Sequence, residues 1–161
     1  MDIETILKQN NLENSTRLFD CTNLNSLDYV ISILEDNESL KNVIKEINNL
    51  KINLLKKEKN CVLKIQGFKF VEPKRVKFNN DYNEVIIDFF NLDLNGKIVK
   101  SNGYLRIDND VVIRNLFDLE DNYKALLLQN GLDYFHLFIF KDTDNIINEE
   151  FINKVKLHLT I

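Results

Sequence analysis

Two histidines, two cysteines and a scatter of carboxylates are the residues of this chain whose types could do chemistry, and their spacing decides most cases. Structural or catalytic zinc needs Cys and His in clusters. Cys21 and Cys61 lie 40 positions apart, and neither His136 nor His158 is near either one. His136 sits between Phe135 and Leu137, with Tyr134 and Phe138 at the alternate positions, the setting of a hydrogen-bonded core histidine more than of a catalytic base. Phosphate cradles need a glycine-rich turn, and the four glycines, at 67, 96, 103 and 131, are too dispersed for one.

Two partial motifs fail on their context. Asn91, Asp93, Asn95, Gly96 and Ile98 match the first half of a calcium loop in residue type. Asn102 occupies the position that requires a bidentate Glu, and the flanking segments read as strands. Glu72-Pro73-Lys74 has the acidic-x-Lys form of metal-dependent nucleases, but no second carboxylate precedes it on a neighbouring strand; Glu58, in a helix tail, is the nearest. Asp88 is the remaining catalytic lead. It falls between Ile86 and Phe90 on an otherwise apolar face, where burial would raise its pKa. These readings imply no catalytic set, no metal and no cofactor.

Charge is distributed more tellingly than it is totalled. The net charge is −4, yet residues 51–77 carry nine basic side chains against Glu58 and Glu72. Alternation places Phe68, Phe70 and Phe78 on the face opposite the lysines, so these rings read as core and not as stacking platforms, and no nucleic-acid partner is expected. Residues 108–121 carry Asp108, Asp110, Asp118, Glu120 and Asp121 against Arg114 alone. Each has a sufficient local role as turn former, helix cap or complement to a helix dipole. Together they would make one negative edge that attracts a basic protein surface.

A chain of 161 residues, 44% hydrophobic and 29% charged, reads as one globular domain over 1–161, with a helical part over 1–60 and a sheet-rich part over 61–161. Its apolar runs are far short of the ~20 residues that span a bilayer. The opening Met1-Asp2-Ile3-Glu4 is acidic, which points to a cytoplasmic protein without a secretory leader or a membrane partner. The 24 Asn, and 17 Lys against 4 Arg, read as the bias of an AT-rich genome.

The stretch that must position everything else is Tyr134-Phe135-His136-Leu137-Phe138-Ile139-Phe140, apolar on both faces, as in a central strand covered from both sides. Before it, Ile3, Ile6 and Leu7 mark a short helix, and residues 13–26 read as a polar loop. Ser26 then caps a helix carrying Leu27, Val30, Ile31 and Leu34, and a longer helix runs from Glu38 to Lys57. The stripe Leu40, Val43, Ile47, Leu50 and Leu54 makes that pair a helical hairpin on the sheet; a homodimer seam is the alternative.

Strands follow. One runs from Cys61, with a bulge at Gly67, and is closed by Pro73; another covers Arg75–Asn79. Glu84–Leu94 and Lys97–Ile107 form a hairpin through Asn95-Gly96, with Ile86 facing Leu105 and a bulge at Asn102-Gly103. A fifth strand covers Val111–Asn115. Asp118 then caps a helix over Leu119–Gln129 ending at Gly131, in preference to a hairpin turning at Asn130-Gly131. After the central strand, Asp142 or Asp144 caps a C-terminal helix, though Val155, Leu157, Leu159 and Ile161 also alternate like an edge strand.

The fold expected is therefore α+β: an N-terminal helical hairpin on a mainly antiparallel sheet of about five to six strands, one helix before the central strand, and a helix at the C-terminus. The function expected is a non-catalytic cytoplasmic protein-binding module, monomeric before binding. It would be an inhibitor or immunity-type protein that blocks a basic partner surface through Asp108, Asp110, Asp118, Glu120 and Asp121. The alternatives are a secretion-chaperone-like homodimer that holds a client protein, and an enzyme whose site is dispersed in sequence.

Overall fold

The computed structural model describes residues 1–10, 12, 16–20, 24–57, 62–68, 72–92, 94–95, 97–132 and 134–160. The elements are α1 (Ile3–Gln9), β1 (Thr16–Asp20), α2 (Leu24–Leu34), α3 (Lys41–Lys57), β2 (Val62–Phe68), β3 (Pro73–Asn79) and β4 (Glu84–Leu92). They continue with β5 (Ile98–Ile107), β6 (Val111–Asp118), β7 (Tyr123–Asn130), β8 (Tyr134–Lys141) and α4 (Glu149–Leu159). Two sheets result, in the orders β1-β2-β8-β7-β6 and β3-β4-β5. The fold is mixed α+β and mainly antiparallel; the β2–β8 pair is parallel.

The charge-free stretch is the centre of the larger sheet. Phe135, Leu137 and Ile139 of β8 enter one core with Leu63, Ile65, Ala125 and Leu127 from the sheet. Ile3, Ile6, Leu7, Leu27, Val30, Leu34, Leu40, Val43 and Ile47 of the helical hairpin and α1 cover that face. Phe138 and Phe140 point the other way, into a second core closed by Val85, Ile87, Phe89, Leu105 and Ile107 of the smaller sheet and by Phe151, Ile152 and Val155 of α4. Each such side chain is worth roughly 1.5–3 kcal/mol on full burial, so a strand that feeds both cores anchors both. Of the stripe, Leu40, Val43 and Ile47 are fully buried and Leu50 is partly buried, while the side chain of Leu54 lies outside the described residues.

Several expectations are corrected. The helix expected before the central strand is the strand β7, and Asp118 is the last residue of β6, not a helix cap. Leu126 and Leu128 pack into one core while Ala125 and Leu127 pack into the other, so both faces of this segment are covered. That burial outweighs the helix preference of an Ala- and Leu-rich run. The chain turns instead at Gly131, whose φ of +68° is the left-handed conformation glycine adopts without cost. Among the described residues there are eight strands in two sheets where five to six in one sheet were expected. The extra edge strand, β1, lies inside the stretch read as a polar loop and pairs antiparallel with β2.

Smaller corrections concern punctuation. α2 begins at Leu24, which puts Ser26 within the helix. Gly67 pairs in register with Ile139, with no bulge against β8. Pro73 opens β3, an edge strand where a missing N–H is tolerated, and does not close the strand before it. α4 is capped by Asn148, whose side chain accepts from the Phe151 N–H, rather than by Asp142 or Asp144.

The hairpin of β4 and β5 forms with its bulge at Asn102, between the pairs Phe89–Gly103 and Phe90–Ser101. That extra residue advances the register, so Leu105 pairs with Ile87 and not with Ile86. β4 alternates, with Val85, Ile87 and Phe89 inward and Asp88 outward, and the extra residue of β5 brings Leu105 and Ile107 onto the inward face with them.

Candidate functional site

The acidic residues singled out in the sequence lie at the two ends of β6, an edge strand of the larger sheet. β6 is itself irregular. Its pairing with β7 shifts between Ile113 and Asn115, leaving Arg114 as the extra residue of a bulge. The bulge rephases the alternation: Val111 and Ile113 before it and Leu116 after it all face the second core, while Phe117 faces the first.

Asp108 and Asp110 lie at the start of this strand. The Asp108 side chain accepts from the Asp110 N–H at 3.0 Å and lies 3.8 Å from the Arg106 guanidinium, so it shapes the turn from β5. Asp118, Glu120 and Asp121 lie at the far end. Glu120 accepts from the Asn37 side-chain amide, tying the end of β6 to the helical hairpin. Asp121 and Asn122 have φ of 53° and 63° and make the tight connection to β7, a backbone conformation that Asp and Asn tolerate better than other side chains.

The structure thus places Asp118 at the end of β6, Asp108 and Asp110 in the turn before the strand, and Glu120 and Asp121 in the connection after it, so the five do not meet at one point. Asp110 and Asp118 are eight positions apart, about 26 Å along an extended chain. The carboxylates of Asp110, Asp118 and Asp121 are exposed, and no hydrogen bond or ion pair to a described residue engages them.

A cleft of about 500 Å³ opens beside β6, between Ile113–Asp118 and the residues leading into and along α4. Its β6 wall includes Asn115, Leu116 and Asp118; its other wall includes Asn145, Asn148, Asn153 and Lys156. The lining holds Arg114 and Lys156 against Asp118 and Glu149, so it is polar without a net sign.

Behind this cleft lies a feature that sequence reading missed. Lys124 of β7 is buried, with its ammonium 3.0 Å from the buried carboxylate of Asp142. The ammonium also donates to the Asn145 side chain and to the Ile147 carbonyl. Asp142 in turn accepts from the N–H groups of Ile146 and Ile147, at 2.9 and 2.8 Å. Three donors and their acceptors are matched, and the cluster fastens the loop that enters α4. The signal in the sequence was Lys124 itself, a lone charge in the run from Tyr123 to Leu128.

The other chemistry candidates stand apart from one another. Asp88 is on the outer face of the smaller sheet, 2.7 Å from Arg75. His136 stacks on Phe138 with ring centroids 6.2 Å apart. His158 meets Phe78 edge-on and lies 3.3 Å from the Asn79 carbonyl. Glu72 accepts from the N–H and hydroxyl of Thr143. Cys21, Cys61, Glu58, Asp93 and Gly96 lie outside the described residues. Among the described residues no group of three or more His, Cys, Asp or Glu side chains is placed to hold a metal ion, and no helix is long and apolar enough to cross a membrane. No family model, no curated protein and no solved structure matches this chain.

Proposed function

We propose that this chain is a non-catalytic, cytoplasmic protein-binding module of the inhibitor or immunity type, which blocks a basic surface of a partner protein through the acidic edge at β6. The observation that carries this reading is the set of exposed, unengaged carboxylates of Asp110, Asp118 and Asp121 at the two ends of one edge strand. Asp108 and Glu120 support the edge from within, the first through its turn and the second through Asn37. Charges spaced along a strand steer a cationic partner into register before contact, raising the association rate at low salt.

The test begins with capture of the partner from the cells that make this chain, followed by association kinetics over a range of ionic strength. The reading expects a basic partner whose association slows as salt rises. It expects the triple variant Asp110→Asn, Asp118→Asn, Asp121→Asn to associate at least ten-fold more slowly at low salt, with a flatter salt dependence. Asn is chosen because it also tolerates the left-handed conformation at position 121. An acidic partner, or a triple variant that binds at the wild-type rate at every salt concentration, would refute the reading.

A further inference from the structure

We propose that the outer edge of β6 between Asn115 and Asp118 accepts an extended segment of the partner as an added strand, with a lysine or arginine side chain of that segment meeting Asp118. The inference rests on the preceding reading of a basic partner and specifies how that partner is held.

The backbone phase comes first. The Leu119 N–H donates to the Tyr123 carbonyl at 2.8 Å, which makes Leu119 and Tyr123 a hydrogen-bonded pair. Along the same register, Phe117 pairs with Ala125 and Asn115 with Leu127. Since hydrogen-bonded and non-hydrogen-bonded pairs alternate, the backbone groups of Phe117 and Asn115 point at β7, and those of Leu116 and Asp118 point away from the sheet. β6 ends the strand order, so these outward N–H and C=O groups have no strand beyond them among the described residues. Leu116 and Asp118 also line the cleft of about 500 Å³, whose opposite wall includes the exposed Asn153. An amide both donates and accepts, so Asn153 can bond the second edge of a chain laid in the cleft.

The bulge at Arg114 limits the pairing at one end, as bulges do on edge strands that must not extend without end. Recognition would be short, through the backbone groups of two outward residues, with side-chain contacts adding specificity. The exposed Asp118 carboxylate favours a cationic segment.

The probe is a synthetic peptide of about nine residues alternating Thr and Val, with Lys at both ends. Two companions carry either N-methyl groups on the backbone nitrogens of one edge or Glu in place of both lysines. The readouts are binding by titration and amide shifts and exchange of the full chain. The Lys-ended peptide should bind, perturb the Leu116 and Asp118 amides and slow their exchange. Backbone methylation should weaken it at least ten-fold, and Asp118→Asn several-fold. If the methylated peptide binds equally well, or the Leu116 and Asp118 amides do not respond at millimolar peptide, strand addition is overturned, whereas the basic-partner reading stands or falls with the captured partner. Equal binding of the Glu-ended peptide would remove the charge argument. Concentration-dependent protection of the same amides without peptide, with a dimer by sedimentation, would replace the partner segment with a second copy and overturn the proposal.

Discussion

At the scale of single residues, Lys124 shows how a charge is tolerated in a core. Its ammonium reaches Asp142, Asn145 and the Ile147 carbonyl, and Asp142 is further held by two backbone N–H groups. Such a pair adds little net stability over an apolar substitute, but removing one partner strands the other charge away from water. Lys124→Met should therefore cost about 3–5 kcal/mol in chemical denaturation; a loss under about 1 kcal/mol would mean Asp142 finds water on its own. At the other end of the chain Asp2 caps α1. The Thr5 hydroxyl and the Thr5 N–H, the latter at 2.7 Å, hold its carboxyl below the ordinary carboxylate value. A lowered pKa in the folded state means the cap's charged form adds stability above the unfolded value of about 3.9 and loses it as pH falls through the folded value. Carbon-detected titration should place Asp2 below its value in the denatured chain, and Asp2→Asn should remove that segment of the pH dependence while keeping a cap.

At the scale of elements, caps and turns are open to simple tests. Asn148→Ala removes the acceptor for the Phe151 N–H and should cost about 1 kcal/mol. Gly131→Ala meets no atom within 4 Å, so its cost is the left-handed backbone alone, about 1–2 kcal/mol by denaturation. A neutral result at Gly131 would show that the turn between β7 and β8 can relax.

Such local devices are also what the sequence announced best. β8, the α2–α3 hairpin and the Asn102 bulge each follow from a periodicity or from one residue's backbone freedom, whereas Gly131, read as a helix end, turns a hairpin instead. β7 did not, because its leucines fit a helical face as well as a doubly covered strand, and only its neighbours β6 and β8 decide between them. The β4–β5 register failed for a related reason: a bulge seen as a local kink also reverses every face beyond it. At the candidate site the five acidic residues were visible, but their placement at the ends of an edge strand, the outward phase of Leu116 and Asp118, and the Lys124–Asp142 pair all depend on partners distant in sequence.

At the scale of the molecule, two cores share one sheet. Ile47 belongs to the core under the helices and Ile87 to the core under the smaller sheet, yet β8 and β7 contribute alternate side chains to both. Loss of packing on one face loosens the strands that the other face needs. Ile47→Ala and Ile87→Ala should each cost about 2–5 kcal/mol and move a single denaturation transition without changing its slope. Two separated transitions, each responding to one variant, would show that the cores melt independently.

The position of β8 in the chain has a consequence for biosynthesis. The strand at the centre of the larger sheet is contributed by Tyr134–Lys141, after every other strand. Its parallel partner β2 precedes it by about 70 residues, so their pairing closes one of the longest loops in the fold. A nascent chain that has emerged only as far as Gly131 holds β2 and β7 with vacant edges and both cores half-lined. It should bind general chaperones and resist compaction, whereas chains extended by β8 and α4 should become protease-resistant in one step.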